Sequence, residues 1–158
     1  MTLDRIDRRI LHLLQGDARM SIADLSERVG LSATACARRV RLLEEGGVIL
    51  GYGAHIDHRE VGLRMMAWVR VSLHRKTQDS LAAFEAAISQ APEVLEAHLV
   101  TGRDDYVLRV AVSDLQAYER FLSQHLTRIG GVSQIESSFL VRRVAKQAAL
   151  PIPMPQEP

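Results

Sequence analysis

Apolar positions along this chain follow two periods. As far as residue 50 they recur every three to four residues, the spacing of helices that bury one stripe. Beyond residue 62, stretches that alternate apolar and polar side chains are interleaved with further helical ones. Ile6, Ile10, Leu13 and Leu14 share one stripe of a first helix predicted over 4–15. Asp4 and Asp7 lie in its opening turn, where the helix dipole favours acids, and Gly16-Asp17 ends it. Ser21-Ile22-Ala23-Asp24 fits a capping box opening a second helix, with Ile22, Leu25 and Val29 inward and Gly30 as its stop. Ser32 is a good N-cap for a third helix, predicted to about Glu45, with Cys36, Val40 and Leu43 inward and Gly46-Gly47 after it.

Val48 to Ile56 reads as extended, either a strand or a tether. From residue 64, Met65, Ala67, Val69, Val71 and Leu73 alternate with Met66, Trp68, Arg70, Ser72 and His74, which is the period of a strand. A helix is predicted over 78–90 with Leu81, Phe84 and Ile88 on one side, broken by Ala91-Pro92. Strands over 94–101 and 106–112 flank the tight loop Gly102-Arg103-Asp104-Asp105. A further helix is predicted to open at Ser113, whose Ser-Asp-Leu-Gln start suits a capping box, and to carry Leu115, Tyr118, Leu122, Leu126 and Ile129. A last strand is predicted from Val132 to about Val144. The order β-α-β-β-α-β is that of the split βαβ, ferredoxin-like fold. The expected class is α+β: a three-helix domain at 1–48, an extended tether at 49–62, a ferredoxin-like domain at 63–146, and a tail at 147–158. That tail holds four of the five prolines and is expected to be disordered. The strand beginning at Met65 is apolar on both faces. One face suits the two helices, and a partner sheet is the simplest cover for the other, so the domain is expected to be oligomeric.

Composition narrows the class of protein. With 158 residues, 47% hydrophobic and 25% charged, the chain is globular, and with 4% aromatics its core is aliphatic. A single cysteine, Cys36, excludes an intrachain disulfide and a multi-cysteine metal site, and reads as a core residue. No stretch approaches the length of a membrane span, and the charged segment from Met1 to Arg9 precedes no signal-type apolar run, so a soluble, cytoplasmic protein is expected. The net charge is only +1, so a nucleic-acid binder of this composition must concentrate its basic residues.

The third helix does so. Two short helices joined by a glycine-containing turn form a helix-turn-helix, which places the start of its second helix in the DNA major groove. From Leu31 to Leu43 there are three arginines, Arg38, Arg39 and Arg41, and no acids. The start of the helix, Ser32-Ala33-Thr34-Ala35, is small and hydroxylated, and its free N–H groups suit a phosphate. Candidate contacts to double-stranded DNA are therefore Ser21, Ser32, Thr34, Arg38, Arg39 and Arg41, with Arg38 and Arg39 expected to point away from Arg41. The alternative is a solvated basic helix face of no further purpose.

Enzymatic chemistry finds little support. Asp104 and Asp105 are adjacent and cannot be assumed to face each other. The six histidines are scattered; His55 and His58 could share a metal, but no further ligand is spaced near them. There is no glycine-rich phosphate loop and no nucleophile motif. No enzyme activity, cofactor or metal is expected.

Several segments resemble the Lrp/AsnC family, the leucine-responsive or feast/famine regulators. They are the opening from Leu3 to Leu11, the stretch from Leu31 to Glu44, the hinge from Gly46 to Tyr52, the loop from His98 to Tyr106, and Gly131-Val132. The resemblance runs in order over residues 2–146. It implies a winged helix-turn-helix domain tethered to an αβ sandwich that binds amino acids or related metabolites, and dimers that assemble into octamers or other even-numbered forms on DNA. It thus implies a sequence-specific, nucleoid-associated transcription regulator. Its ligand is expected at the loop, with Thr101, Gly102, Arg103, Asp104, Asp105 and Tyr106 completed by Ser137 and Ser138 of a neighbouring protomer. Backbone N–H groups near Gly102 suit a carboxylate and Asp105 suits an ammonium. Arg103 and Asp104 stand where the family commonly has an acid and an aromatic, and Leu42 where it often has a basic residue. Arg103 favours a ligand with a second negative group, such as an acidic amino acid, whereas the small Ser137 and Ser138 leave room for a bulkier side chain. Competing readings are a DNA-architectural protein of this fold without ligand control, and a small ferredoxin-like enzyme or metabolite carrier.

Overall fold

A computed structural model describes residues 2–145 and 149–153. The chain divides into two compact units, one of Met1–His55 with Ala145–Pro158, the other Ile56–Val144.

The N-terminal unit has three helices, α1 (Arg5–Gly16), α2 (Ile22–Val29) and α3 (Ala33–Glu45). Each begins where a side chain can cap it. Asp4 accepts from the Asp7 amide and Asp7 accepts from the Asp4 amide, a complete capping box. The Ser21 and Ser32 hydroxyls accept from the Asp24 and Ala35 amides. Gly30 ends α2 with φ +72°, a left-handed conformation that glycine adopts without Cβ strain. Ile10, Leu25, Cys36, Val40 and Leu43 form the buried core, with Ile6, Ile22, Val29 and Ile49 packed against it. Burial pushes the Cys36 thiol above its usual pKa, consistent with an inert core residue. No strand follows α3 among the described residues of this unit. The expected tether does not begin at 49: Ile49 packs on the core, and the Tyr52 hydroxyl donates to Glu44 on α3 at 2.8 Å. The Tyr52 hydroxyl is pushed up to about 12, by burial and then by that carboxylate.

The described part of the tail also departs from the expectation of disorder. Residues 149–153 lie against α1, held by hydrogen bonds to Gln15 and Arg8. The expectation failed because proline content excludes helix and central strand but not an extended segment held through its carbonyls. Residues 146–148 and 154–158 of that tail lie outside the described residues.

The C-terminal unit contains β1 (Met65–Leu73), α4 (Gln78–Ile88), β2 (Val94–Leu99), β3 (Tyr106–Val112), α5 (Leu115–Phe121) continuing into one π turn (Leu122–Leu126), and β4 (Val132–Phe139). The sheet order is β2-β3-β1-β4, every neighbour antiparallel, as a split βαβ fold requires. The register sets Val69 beside Leu108 and Val71 beside both Tyr106 and Ile135. Ala67, Val69, Val71, Leu73, Leu108 and Val110 thus share one face, which packs on Phe84 and Ile88 of α4 and on Tyr118, Phe121 and Leu126. The opposite face carries Met66, Trp68, Arg70, Ser72, Arg109 and Glu136, and no helix packs on it in this unit.

Two details differ from the sequence expectation. The last strand stops at Phe139, short of residue 144. The helix after β3 is capped by Asp114, whose carboxylate accepts from the Ala117 amide; Ser113 donates to that carboxylate instead. The π turn then changes which side chains face inward. Phe121 and Leu126, five residues apart, are both fully buried, a spacing that an α-helix would splay but a π turn aligns. Leu115, expected inward, is 62% exposed.

This register can be tested by chemical denaturation. Phe121→Ala should destabilise the C-terminal unit by about 3–5 kcal/mol, and Leu115→Ala by less than about 0.5 kcal/mol. Comparable losses for both would contradict the inward placement of Phe121 and the outward placement of Leu115.

Candidate DNA-binding and ligand-binding sites

On α3 the outward positions are Ala33, Thr34, Ala37, Arg38, Arg41 and Leu42, with the acids Glu44 and Glu45 at its end. Thr34, Arg38 and Arg41 are spaced i, i+4, i+7 and form one stripe. Arg38 and Arg41 therefore share a side, contrary to the expectation that Arg38 opposes Arg41; three residues of helix turn back to within about 60°. Arg38 has no ion pair among the described residues. Arg41 meets Glu45 at 3.7 Å, an exposed pair that restrains it little.

Arg39 points elsewhere. Its guanidinium meets Asp4 at 2.6 Å and Asp7 at 2.8 Å, and only 28% of the side chain is exposed. Those two acids form the capping box of α1, so Arg39 fastens α3 to the start of α1. The hydrogen bonds that the Arg39 guanidinium donates to Asp7 and Asp4 hold it above its ordinary pKa. The Asp4 carboxyl lies below its ordinary value, first through the Asp7 amide and then, against a smaller opposing desolvation, through Arg39. The expectation of a free DNA contact at Arg39 is corrected: a charge count on α3 could not show that two acids thirty residues earlier neutralise it. The Ser21 hydroxyl is engaged, accepting from the Asp24 amide and donating to its carboxylate at 2.6 Å; Ser32 also caps its helix through the Ala35 amide, and Ser21, Ser32 and Thr34 are all exposed.

The β2–β3 loop is built on Asp105. This residue is buried; its carboxylate accepts from the Leu73 amide at 2.9 Å and pairs with Lys76 at 2.6 Å. Its own amide donates to Val71 and its carbonyl accepts from Val100. The Leu73 amide first, and Lys76 second, hold the Asp105 carboxyl below the usual range. The expectation gave Asp105 to a ligand's ammonium; the structure has it buried, with one partner on each oxygen, where it closes the loop. The tip, Thr101, Gly102 and Arg103, is exposed, with Gly102 at φ +123°. The amides of residues 101–104 have no hydrogen-bond partner among the described residues.

The remaining expected ligand residues do not converge on one wall. Ser137 and Ser138 are consecutive on β4 and face opposite sides of the sheet, as strand residues must. Ser137 is hydrogen-bonded to the Tyr118 hydroxyl on the helix side. Ser138 lies on the open side, 3.4 Å from Arg70. Arg70 also meets Glu136 at 3.2 Å and Asp104 at 3.9 Å, and Asp104 accepts from Ser72 at 3.4 Å. Tyr106 is buried on the helix side, stacked on Phe84 at 4.4 Å, its hydroxyl donating to Glu85 at 2.8 Å. Burial, and then Glu85, raise the Tyr106 hydroxyl above its usual pKa. Arg70 and Glu136, at the centre of the open-face cluster, were missed by the sequence reading. The available signal was an arginine among the apolar residues Met66 and Trp68 on a strand face. A cavity of about 330 Å³ lies between α4 and β2, lined by Phe84, Ile88, Val94, Leu99 and Tyr106, with Glu85 among its polar groups. Of the expected ligand residues it includes only Tyr106.

Comparison with known proteins comes out consistently. The family description "Lrp/AsnC ligand binding domain" matches residues 66–150, and "Winged helix-turn-helix DNA-binding" matches residues 3–49. The chain is 47% identical over 150 residues to the Bkd operon transcriptional regulator of Pseudomonas aeruginosa, covering 95% of this chain and 98% of that protein. It is 39% identical over 150 residues to the leucine-responsive regulatory protein of Escherichia coli K12, covering 95% and 92%. A transcriptional regulator of Neisseria meningitidis, solved as its L-methionine complex, superposes with a TM-score of 0.87 at 37% identity over 95% of this chain and 97% of that one.

The two neighbouring arginines should behave differently. Arg38→Ala should leave thermal stability unchanged and lower the slope of log affinity for DNA against log salt by roughly one unit. Arg39→Ala should instead destabilise the N-terminal unit by about 1–2 kcal/mol, because it leaves two acids together without a cation. Thermal melts and salt titrations of both variants decide this, and identical behaviour of the two would refute the assignment.

Asp105 gives a pH signature. Its folded-state pKa is depressed, so its stabilisation is complete above the unfolded value of about 4 and is lost as pH falls through the lower folded value. Asp105→Asn should therefore be less stable than wild type by a constant margin from pH 7 to about 5, and the margin should close below about pH 4. Urea midpoints across that range provide the measurement.

Proposed function

This chain belongs to the Lrp/AsnC family of transcriptional regulators, and on that premise we propose that Thr34, Arg38 and Arg41 read and grip operator DNA while a neutral amino acid with an apolar side chain sets the response. The protein is a DNA-binding regulator with a ligand-binding domain, not an enzyme. The finer assignments rest on the geometry above. Thr34, Arg38 and Arg41 are the hydroxyl and the two cations that the exposed stripe of α3 presents together, with Ser32 at the helix start. Arginine can clamp a phosphate or pair bidentately with guanine. A regulator acting this way works at the nucleoid.

For the effector, the supporting observation is the loop of unpartnered amides at 101–104 beside a cavity walled by Phe84, Leu99 and Tyr106. Leu99 and Tyr106 are the strand residues on either side of the loop. The amides, with Arg103 beside them, suit a carboxylate, and the apolar wall suits a hydrocarbon side chain. Relatives named for leucine response, and the neighbour solved with L-methionine, support the same ligand class. Arg103 then serves the main-chain carboxylate and does not select an acidic side chain.

Assembly follows from the sheet. Its open face holds half-buried Met66 and Trp68, and a second copy of the same sheet covers them in a dimer that builds to an even-numbered oligomer. Ser138 and Arg70 lie on that face, so they belong to the interface and not to the loop's ligand wall.

Calorimetry on the full-length protein tests the effector class. Leucine or methionine should bind at least tenfold more tightly than aspartate or glutamate, a difference of about 1.4 kcal/mol or more. Operator affinity should change with the ligand that binds. Tighter binding of an acidic amino acid would overturn the proposed class.

A further inference from the structure

We propose that the outer face of α1 is a docking surface for the chain's own extended, proline-spaced C-terminal segment, and that Gln15 and Arg8 hold that segment by its backbone. This inference does not depend on the ligand or operator assigned above. Gln15 and Leu150 pair reciprocally: the Leu150 amide donates to the Gln15 side-chain oxygen at 2.6 Å, and the Gln15 side-chain nitrogen donates to the Leu150 carbonyl at 3.3 Å. A primary amide thus presents to the segment the same donor and acceptor that a neighbouring strand would. Seven residues earlier on α1, the Arg8 guanidinium donates to the Pro153 carbonyl at 2.9 Å.

The spacing of the two anchors suits this occupant. Arg8 and Gln15 are two helical turns apart, about 10 Å along the axis. Fully extended, Leu150 to Pro153 would span about 9 Å at the rise of a polyproline helix; the turn at Pro151 shortens it, and the long Arg8 side chain covers the remainder to the Pro153 carbonyl. The segment therefore runs antiparallel to α1 and meets both anchors. Pro151 and Pro153 fix their φ angles and have no amide to leave unpaired, so little conformational freedom is lost on docking. The Ile152 amide donates to the Leu150 carbonyl at 2.8 Å, which folds the segment at Pro151, and Ile152 is its half-buried apolar residue. Leu150 itself is 74% exposed, so the grip lies in its backbone and not in its side chain. All three contacts come from α1 and none from α3. The surface and the DNA-facing stripe are therefore on different helices, and the strap ties the C-terminal end of the chain to the N-terminal unit.

Hydrogen exchange of the full-length protein, resolved at single amides by mass spectrometry, tests the docking. The Leu150 amide should exchange roughly tenfold or more slowly than its intrinsic rate. Gln15→Leu and, separately, Ile152→Asp should each return it to that rate while the amides of α1 stay protected. Exchange of Leu150 at the intrinsic rate in the wild type, or protection that survives both substitutions, overturns the proposal. A second measurement fixes the occupant. In a His12→Cys, Leu150→Cys protein, which keeps both anchors because His12 lies on the same face of α1 between Arg8 and Gln15, and with Cys36 buried and silent, a short bismaleimide should link the two cysteines within one chain. A product that links two chains, or none, would show that the chain's own segment is not the occupant.

Discussion

A β-strand sends consecutive side chains to opposite faces, and this chain provides helices for one face of its sheet only. Most of the C-terminal unit follows from that constraint. The residues that alternate into the helix side, from Ala67 to Leu73 and from Tyr106 to Val112, form the aliphatic core with Phe84 and Phe121. Those that alternate outward leave a tryptophan, a methionine and the charged trio Arg70, Glu136 and Asp104 without a covering layer in the unit. The same alternation parts Ser137 from Ser138 and turns Tyr106 away from Asp104. The β2–β3 loop thus gives Asp104 to the uncovered face, while Tyr106 just after it turns to the helix side.

Carboxylates hold both units together in a similar way. Asp4 and Asp7 close the first turn of α1 and receive Arg39 from α3; Asp105 caps the end of β1 and receives Lys76. In each case an acid satisfies a backbone amide that would otherwise lack a partner and binds a cation distant in sequence. On α3 the consequence is a division of labour between adjacent arginines. One of the three positive charges on this helix joins helices, and the remaining two face outward.

The periodicity of apolar residues made the elements legible, and the hydroxyls of Ser21 and Ser32 located the starts of α2 and α3 to within a residue; Asp4, read as a first-turn acid, is the cap of α1. Local signals failed where the partner was distant in sequence. Nothing near Arg39 points to Asp4 and Asp7, and nothing near Leu150 points to Gln15. The π turn was illegible for a different reason: reading these positions as one stripe assumes an unbroken α-helical repeat, and the extra residue in that turn brings Leu126 to the same side as Phe121, five positions before it. Ser113 and Asp114 compete for one cap, and the stronger acceptor takes it. At the β2–β3 loop the sequence placed the turn between its two strands. It could not tell which members point to solvent and which hold the loop closed, because Gly102, Asp104 and Asp105 suit a turn in either role.

The closure of that loop has a consequence for how a ligand is recognised. Val100 bonds to Asp105 across its neck, and Asp105 is held from below by Leu73 and Lys76, so the amides at the tip are oriented before anything arrives. A small molecule landing there would not have to order the peptide that binds it, and its affinity would not be reduced by that entropy. Selectivity at such a rim comes from the fit of a rigid template, so close analogues are told apart by shape at first encounter rather than by how well each can draw the loop shut.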